Sequence, residues 1–302
     1  MSRTKSSSII KPDFLIIGAQ KCGTTWLWAM LKQHPRTGLP LEKEIDFFGS
    51  SEIFGKGKEW YYSHFTQIDP YKVTGEASTT YLYDYVPYWY NSSNNLEYDY
   101  SLPKIPELIT QELPDIKIII LLRDPVQRAI SAYKHLIRVK SISPFSALKK
   151  TAMSLPKKRI LEYGFYAKYI KLWKQFVPSE RMRVYIFEED IIKRPEETLK
   201  DVFSFLNLDI EFKPINTRKA VYKSLGWSQL LLNYYMGKLS GKIIVTRAIS
   251  NLFNGLDNLL NPLFVKKTDI EFLRSIYLPE KEELENVLQR KLDCWKYNYG
   301  KP

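Results

Sequence analysis

The stretch "DFLIIGAQKCGTTWLWAML" constrains this chain more than any other. Asp13–Ala19 is a short, continuous apolar run ending in glycine, the pattern of a strand buried on both faces of a parallel sheet. A glycine-bounded loop follows. Thr24 or Thr25 then opens a helix with Trp26, Leu27, Met30 and Leu31 on one face, until Pro35 stops it. Strand, glycine loop and helix in that order make a natural anion cradle, or else a tight strand-to-helix turn with a surface lysine. The backbone N–H groups from Lys21 to Thr25 gather at a helix N-terminus, and Gly23 lets the backbone come close to a ligand. The nucleoside-triphosphate loop reads G-x-x-x-x-G-K-[ST]. Here Gly18 and Gly23 keep the glycine spacing, yet the lysine is Lys21, inside the loop.

The same alternation runs down the chain. Tyr71–Gly75 is a second predicted strand, Ile116–Pro125 ("IKIIILLRDP") the clearest one and Arg183–Asp190 ("RVYIFEED") a fourth. Asp124 then Pro125 gives an N-cap followed by proline at the first helical position, and the helix continues through "VQRAISAYKHLIRV". Another helix is predicted around Phe165–Phe176. "RPEETLKDVFSFLNL" starts with Pro195, carries acids in its first turn and buries Leu199, Val202, Phe203 and Leu206. Alternating strands and helices predict an α/β fold, a P-loop-like parallel β-sheet flanked by helices. We expect a single domain over residues 12–295 behind a flexible tail, residues 1–11. Ligands of such sheets bind outside the C-terminal strand ends, which places Gly18 and Arg123 on the ligand edge. Tyr88–Lys104 and Gly237–Lys267 read as insertions. The second is either a substrate lid or membrane-facing element, or an irregular helical excursion packed on the body.

Composition narrows the partners. With 302 residues and 44% hydrophobic content the chain can bury a substantial core. Lys plus Arg number 45 and Asp plus Glu 33, a net charge of +12. That excess suits an anionic ligand, an anionic polymer or a membrane surface, and equally a merely lysine-rich soluble protein. Two cysteines, Cys22 and Cys294, make no disulfide framework and point to a reducing compartment. No run is long and apolar enough for a signal peptide or a span of about 18 residues. The expected location is cytoplasmic, with no transmembrane segment and peripheral membrane contact left open. His34, His64 and His135 lie far apart, with no HExxH, CxxC or GxSxG pattern, so no metal site is expected.

Two further motifs carry candidate chemistry. In "LLRDPVQRAISAYKH", Arg123 offers a planar fork suited to phosphate, with Ser131 eight residues on, on the same face as Gln127. The pair would hold a second phosphate; a salt bridge for Arg123 and a helix-surface hydroxyl for Ser131 are the alternatives. Arg128 reads as structural. In "LEKEIDFF", Lys43 and Glu44 precede Phe47 and Phe48, which would anchor the segment in the core and hold Glu44 over the site. Glu44 is then a candidate general base, although by itself the motif is a surface Lys–Glu pair. The aromatic run Tyr81–Tyr90 would stack on sugar rings or pack as core.

Taken together, "GAQKCGTTWL", "KEIDFF", "GEASTTYL" and "LLRDPVQRAISAYKH" resemble the sulfotransferases that use 3′-phosphoadenosine 5′-phosphosulfate (PAPS), closest to the heparan-sulfate branch. The tail Leu273–Trp295 resembles that branch's C-terminal helices, so the likeness spans Pro12–Trp295. It implies that Lys21, Cys22, Gly23, Thr24 and Thr25 hold the 5′-phosphosulfate, and that Lys21 steadies the bridging oxygen as the sulfuryl group leaves. Arg123 and Ser131 would bind the 3′-phosphate, and Glu44 would be the base. The product would be adenosine 3′,5′-bisphosphate, with no metal required. The chain departs from the branch at Asp46, where histidine is frequent, and at Ala77, where "GEKTP" carries lysine. The basic loop of the C-terminal third has its nearest match in "NTRKAVYKSLGWSQLL", where Lys219, Lys223 and Ser224 would close over the cofactor. The implied acceptor is a carbohydrate hydroxyl or amine, and no nucleic acid. The competing readings are a P-loop kinase or nucleoside triphosphatase, which would want lysine after Gly23 and an acid closing a later strand, and a non-catalytic binder of anionic polymers.

Overall fold

The computed structural model describes residues 9–87, 97–218, 225–236, 257, 260 and 262–296. Its strands are β1 (Phe14–Gly18), β2 (Thr37–Gly38), β3 (Val73–Ala77), β4 (Lys117–Leu122) and β5 (Met182–Ile186). Its α-helices are α1 (Thr24–Leu31), α2 (Ser51–Phe54), α3 (Lys58–Ser63), α4 (Ile105–Glu112), α5 (Pro125–Arg138), α6 (Leu148–Ser154), α7 (Tyr166–Trp173), α8 (Pro195–Phe205), α9 (Trp227–Met236) and α10 (Lys267–Leu288). The described residues group into two compact units. One lies within Met1–Ser92, Glu97–Leu122 and Tyr169–Val221, the other within Arg123–Lys168 and Tyr222–Pro302.

The first unit holds the whole sheet, in the order β2-β3-β1-β4-β5. Every pairing is parallel, as the unbroken apolar runs predict. All five residues of β1 are buried, and so is β4 beyond Lys117. From β1 the chain runs to β2 at the sheet edge, returns to β3 beside β1, then crosses to β4 on the other side of β1 and on to β5. The strand order therefore switches direction beside β1, and in open parallel sheets the carboxyl ends of the strands at such a point are where ligands bind. The strand predicted at Tyr71–Gly75 runs two residues later, Val73–Ala77, because Glu76 and Ala77 continue the pairing with Leu15 and Ile16. The strand predicted over Arg183–Asp190 ends at Ile186; Phe187–Ile191 closes into a π-turn, in which the Asp190 carboxylate accepts the Ile186 N–H at 2.6 Å.

The second unit packs α5 against α9 and α10 around Val126, Tyr133, Trp227, Leu273 and Tyr277. Asp124 caps α5 by accepting the Val126 N–H at 2.8 Å, with Pro125 following, as predicted. Arg128 is wholly buried and donates to the Ile160 carbonyl, a structural role. Glu280, also buried, accepts the Ala167 N–H at 2.6 Å at the start of α7. Burial pushes its carboxyl from 4.5 up to about 7. An acid whose folded pKa is raised stabilises the fold fully while protonated, below about 4.5, and that contribution is lost as pH rises to about 7. Glu280→Gln should remove this slope. In thermal scans the variant should gain stability relative to wild type between about pH 5 and about pH 8. Parallel pH curves for the two proteins would refute the assignment.

Candidate active site

The loop after β1 is built by a left-handed turn. Lys21 has φ 68° and Gly23 φ 97°. Glycine is required at 23 on two counts: the backbone sign, and the ring of Phe187, whose Cδ2 would lie 2.9 Å from a Cβ there. The loop is pinned to the sheet, with the Ala19 N–H donating to the Leu121 carbonyl at 2.7 Å and the Leu82 N–H to the Ile17 carbonyl at 2.9 Å. Thr24 and Thr25 open α1, as the sequence predicts. Gly23 is the N-cap, and no side chain caps the helix. The first N–H groups of a helix have no partner within it, so α1 presents donors and a partial positive charge at the end of β1. Lys21 is half-buried, Cys22 and Thr24 are buried, and the Cys22 thiol donates to the Gln20 carbonyl at 3.5 Å. These residues fit a doubly charged phosphate-type group: uncapped helix donors, two hydroxyls and one ammonium.

Glu44 reaches the same sheet edge from the neighbouring strand. Its N–H donates to the Ala77 carbonyl at 3.0 Å, at the C-terminal end of β3, and β3 pairs directly with β1. Neighbouring strands lie about 4.8 Å apart, so the loop springing from β1 and the Glu44 turn bonded to the end of β3 lie at adjacent strand ends. Glu44 and Asp46 are left-handed, with φ 67° and 56°. The Glu44 side chain is 43% exposed and pairs with Lys43. Phe47 and Phe48 are buried as anchors, Phe47 stacked on Tyr61 at 4.7 Å and Phe48 edge-on to Tyr81 at 5.6 Å.

Behind this turn lies a polar network that motif reading did not single out. Asp46 accepts from the Thr80 hydroxyl at 2.7 Å, and its N–H donates to the Ser78 Oγ at 3.0 Å. Ser78 donates to Glu76 at 2.5 Å, and the buried hydroxyls of Tyr61 and Tyr81 donate to the same carboxyl at 2.7 and 2.8 Å. Burial pushes Asp46 up to about 6, against the Thr80 hydrogen bond, and Glu76 up to about 7, against its three hydroxyl donors. A glutamate inside a buried parallel strand was the available signal.

Arg123 directly follows β4 and opens the second unit. Its carbonyl accepts from the Tyr166 hydroxyl at 2.9 Å. Ser131 lies on α5, half-buried. Lys219, Lys223 and Ser224 lie outside the described residues, as does most of Gly237–Lys267. Tyr81 and Tyr83 are core, which removes them from sugar stacking; Tyr85 instead clusters with Tyr98 and the exposed Tyr100. A cavity of about 550 Å³ lies at the opposite, N-terminal edge of the sheet, lined by Asp13, Val73, Glu112 and Lys117. Its mixed charge and the engagement of Glu112 by Lys11, Lys58 and Tyr62 set it apart from the cradle. Among the described residues no group of His, Cys, Asp and Glu is placed to hold a metal ion, and no helix is long and apolar enough to cross a membrane.

A parallel sheet, an uncapped helix behind a glycine loop and a carboxylate turn bonded to the end of the adjacent strand define a P-loop-like α/β protein with a candidate anion cradle. The chain belongs to the sulfotransferase family, whose sulfotransferase domain matches residues 11–224. It is 28% identical over 205 residues to human heparan sulfate glucosamine 3-O-sulfotransferase 5, covering 65% of this chain and 54% of that protein. It is 28% identical over 210 residues to the Caenorhabditis elegans bifunctional heparan sulfate N-deacetylase/N-sulfotransferase 1, covering 65% of this chain and 22% of that protein. The chain thus spans about half the length of the first relative and about a fifth of the second. The crystal structure of a sulfotransferase from Alicyclobacillus acidocaldarius shares the fold, with a TM-score of 0.63 at 23% identity over 94% of this chain and 98% of that one.

Proposed function

We propose that the protein transfers a sulfuryl group from PAPS to a hydroxyl or amine of a carbohydrate acceptor. The observation that carries the reading is the pairing of strand ends: the uncapped, lysine-bearing cradle after β1 and the Glu44 turn on β3. Family membership and the heparan sulfate relatives support the donor and the acceptor class. Lys21, Gly23, Thr24 and Thr25 would hold the 5′ end, and Arg123 with Ser131 the 3′-phosphate. PAPS, when bound, supplies the sulfuryl group and a phosphate leaving group. Lys21 and the α1 N–H groups meet negative charge with fixed donors, which need no reorganisation as that charge grows. Glu44 accepts the acceptor's proton.

The nucleoside-triphosphatase reading is less well supported. Thr24 follows Gly23, and Glu188 lies in the π-turn after β5 rather than at a strand end. Incubation with labelled PAPS and desulfated heparan sulfate oligosaccharide should label the oligosaccharide. Adenosine 3′,5′-bisphosphate should raise the melting temperature and ATP should not. Arg123→Ala should weaken adenosine 3′,5′-bisphosphate at least about tenfold, a loss of about 1.4 kcal/mol, with little effect on adenosine 5′-phosphate. Equal losses for both nucleotides would refute the 3′-phosphate role, and protection by ATP alone would refute the donor.

A further inference from the structure

The transfer scheme gives no task to the buried carboxyl beside the candidate site. Glu76 stands in the middle of the sheet, opposite Leu15 of β1, and is wholly buried. Burying a carboxylate costs several kcal/mol unless donors surround it. Here three hydroxyls do so, from Tyr61 on α3 and from Ser78 and Tyr81 just beyond β3. An aliphatic residue would fill a strand interior without that cost, so the network calls for a reason beyond packing.

The reason lies in what Ser78 touches. Its Oγ donates to Glu76 at 2.5 Å and accepts the Asp46 N–H at 3.0 Å. The next carbonyl after Glu76, that of Ala77, accepts the Glu44 N–H at 3.0 Å. Glu44 and Asp46 both hold left-handed backbones, which residues with a Cβ adopt only rarely. The turn therefore does not hold itself, and these two hydrogen bonds brace it. Phe47 and Phe48 complete the brace by packing on Tyr61 and Tyr81, the tyrosines that grip Glu76. We propose that Glu76 is a positioning residue for the transfer reaction: acting through the Ser78 hydroxyl, its carboxyl holds the Glu44–Asp46 turn in the geometry that presents Glu44 to the acceptor. This inference rests on the reading of Glu44 as the acceptor's base.

Proton counting gives the brace a pH signature. Ser78 has one hydrogen. It can accept from Asp46 and donate to Glu76 only while that carboxyl oxygen is an acceptor. Ionised Glu76 takes all three hydroxyl donors. A proton on Glu76 forces one hydroxyl to turn away. Burial places this change at about pH 7. The groups facing Glu76 are Tyr61 from α3, Tyr81 and Ser78 from beyond β3, and Asp46 from the turn; Asp46 in turn faces Glu44 and Lys43. Ser78 and Tyr81 share Oε1 and Tyr61 alone meets Oε2, so the proton takes Oε2 and turns the Tyr61 hydroxyl away; the Tyr61 side of the brace, on which Phe47 stacks, is intact above about pH 7 and loosens below it, with Asp46 adding a lower step near 6.

The test measures transfer from PAPS to desulfated heparan sulfate oligosaccharide. Glu76→Gln should lower kcat about 10- to 100-fold, the usual cost of misplacing a reacting group, with adenosine 3′,5′-bisphosphate affinity within about twofold. The step near pH 7 in the kcat profile should vanish. Ser78→Ala cuts the link while both tyrosines still meet Glu76, so it should lose kcat alike and keep its fold by circular dichroism. Tyr61→Phe keeps the link but removes one donor, so the step should move to higher pH. In a Glu44→Gln background, Glu76→Gln should add less than about a twofold further loss. Folded Glu76→Gln and Ser78→Ala proteins with wild-type kcat and pH profile would overturn the inference. So would additive losses in the double variant, and in that case the base reading stands. A wild-type rate in Glu44→Gln alone overturns the base reading, and the inference with it.

Discussion

Lys21→Ala is expected to lower single-turnover transfer about 10²- to 10³-fold, the range seen when one fixed donor to a developing oxyanion is removed. Binding of adenosine 3′,5′-bisphosphate should fall by less than about tenfold, because the α1 N–H groups and the threonines remain. The asymmetry follows from position. Lys21 sits inside the loop, in a left-handed backbone that a lysine adopts only when its surroundings impose it. A lysine needed only for grip would serve as well one residue after Gly23, in relaxed helical backbone, where Thr24 stands instead. The strained placement sets Lys21 in the loop ahead of α1, and its ammonium is expected to meet the charge that appears as the bond to sulfur breaks. Lys21→Arg should recover only part of the rate, since a planar fork does not reproduce a compact point charge. Transfer by Lys21→Ala at the wild-type rate would end the leaving-group role. Equal losses in rate and in product affinity would reduce Lys21 to a binding group.

The scaffold was legible because its signals are local. β1 and β4 are unbroken apolar runs, the loop is delimited by glycines, and Asp124–Pro125 announces α5. Each feature lies within a few residues of the next. β3 was legible only in part, because Glu76 interrupts its apolar pattern, and the prediction stopped one residue short of it. The carboxyl that obscured the strand is the one that braces the site. β2 has two residues and no periodicity to detect. At the candidate site, motifs single out the loop and Glu44, whereas nothing in them points to the network behind. Tyr61 meets Glu76 across 15 positions and Thr80 meets Asp46 across 34, and a lone tyrosine or threonine carries no sign of its partner. Asp46 looked like a departure from a histidine pattern. The structure makes it part of a hydrogen-bonded turn whose carboxyl burial lifts to about 6.

Glu44→Gln should lower kcat for a sugar hydroxyl about 10²- to 10⁴-fold, the usual contribution of a placed general base. Glutamine keeps the shape, and the backbone bond to Ala77 does not involve the side chain, so the turn should survive. Affinity for adenosine 3′,5′-bisphosphate should stay within about twofold, because the cradle donors lie on another strand end. Loss of rate alone would not separate proton transfer from orientation, but acceptor acidity does. If Glu44 takes the proton, an acceptor already ionised at neutral pH has no need of it, and the penalty should nearly vanish for a nitrophenolate while staying large for a sugar. If Glu44 only orients the acceptor by hydrogen bonding, both acceptors should suffer alike. The geometry bears on the same comparison: Glu44 pairs with Lys43 and its side chain is 43% exposed, open to an incoming hydroxyl. A large and equal loss for sugar and nitrophenolate would therefore assign Glu44 to positioning, whereas a loss confined to the sugar makes it the base.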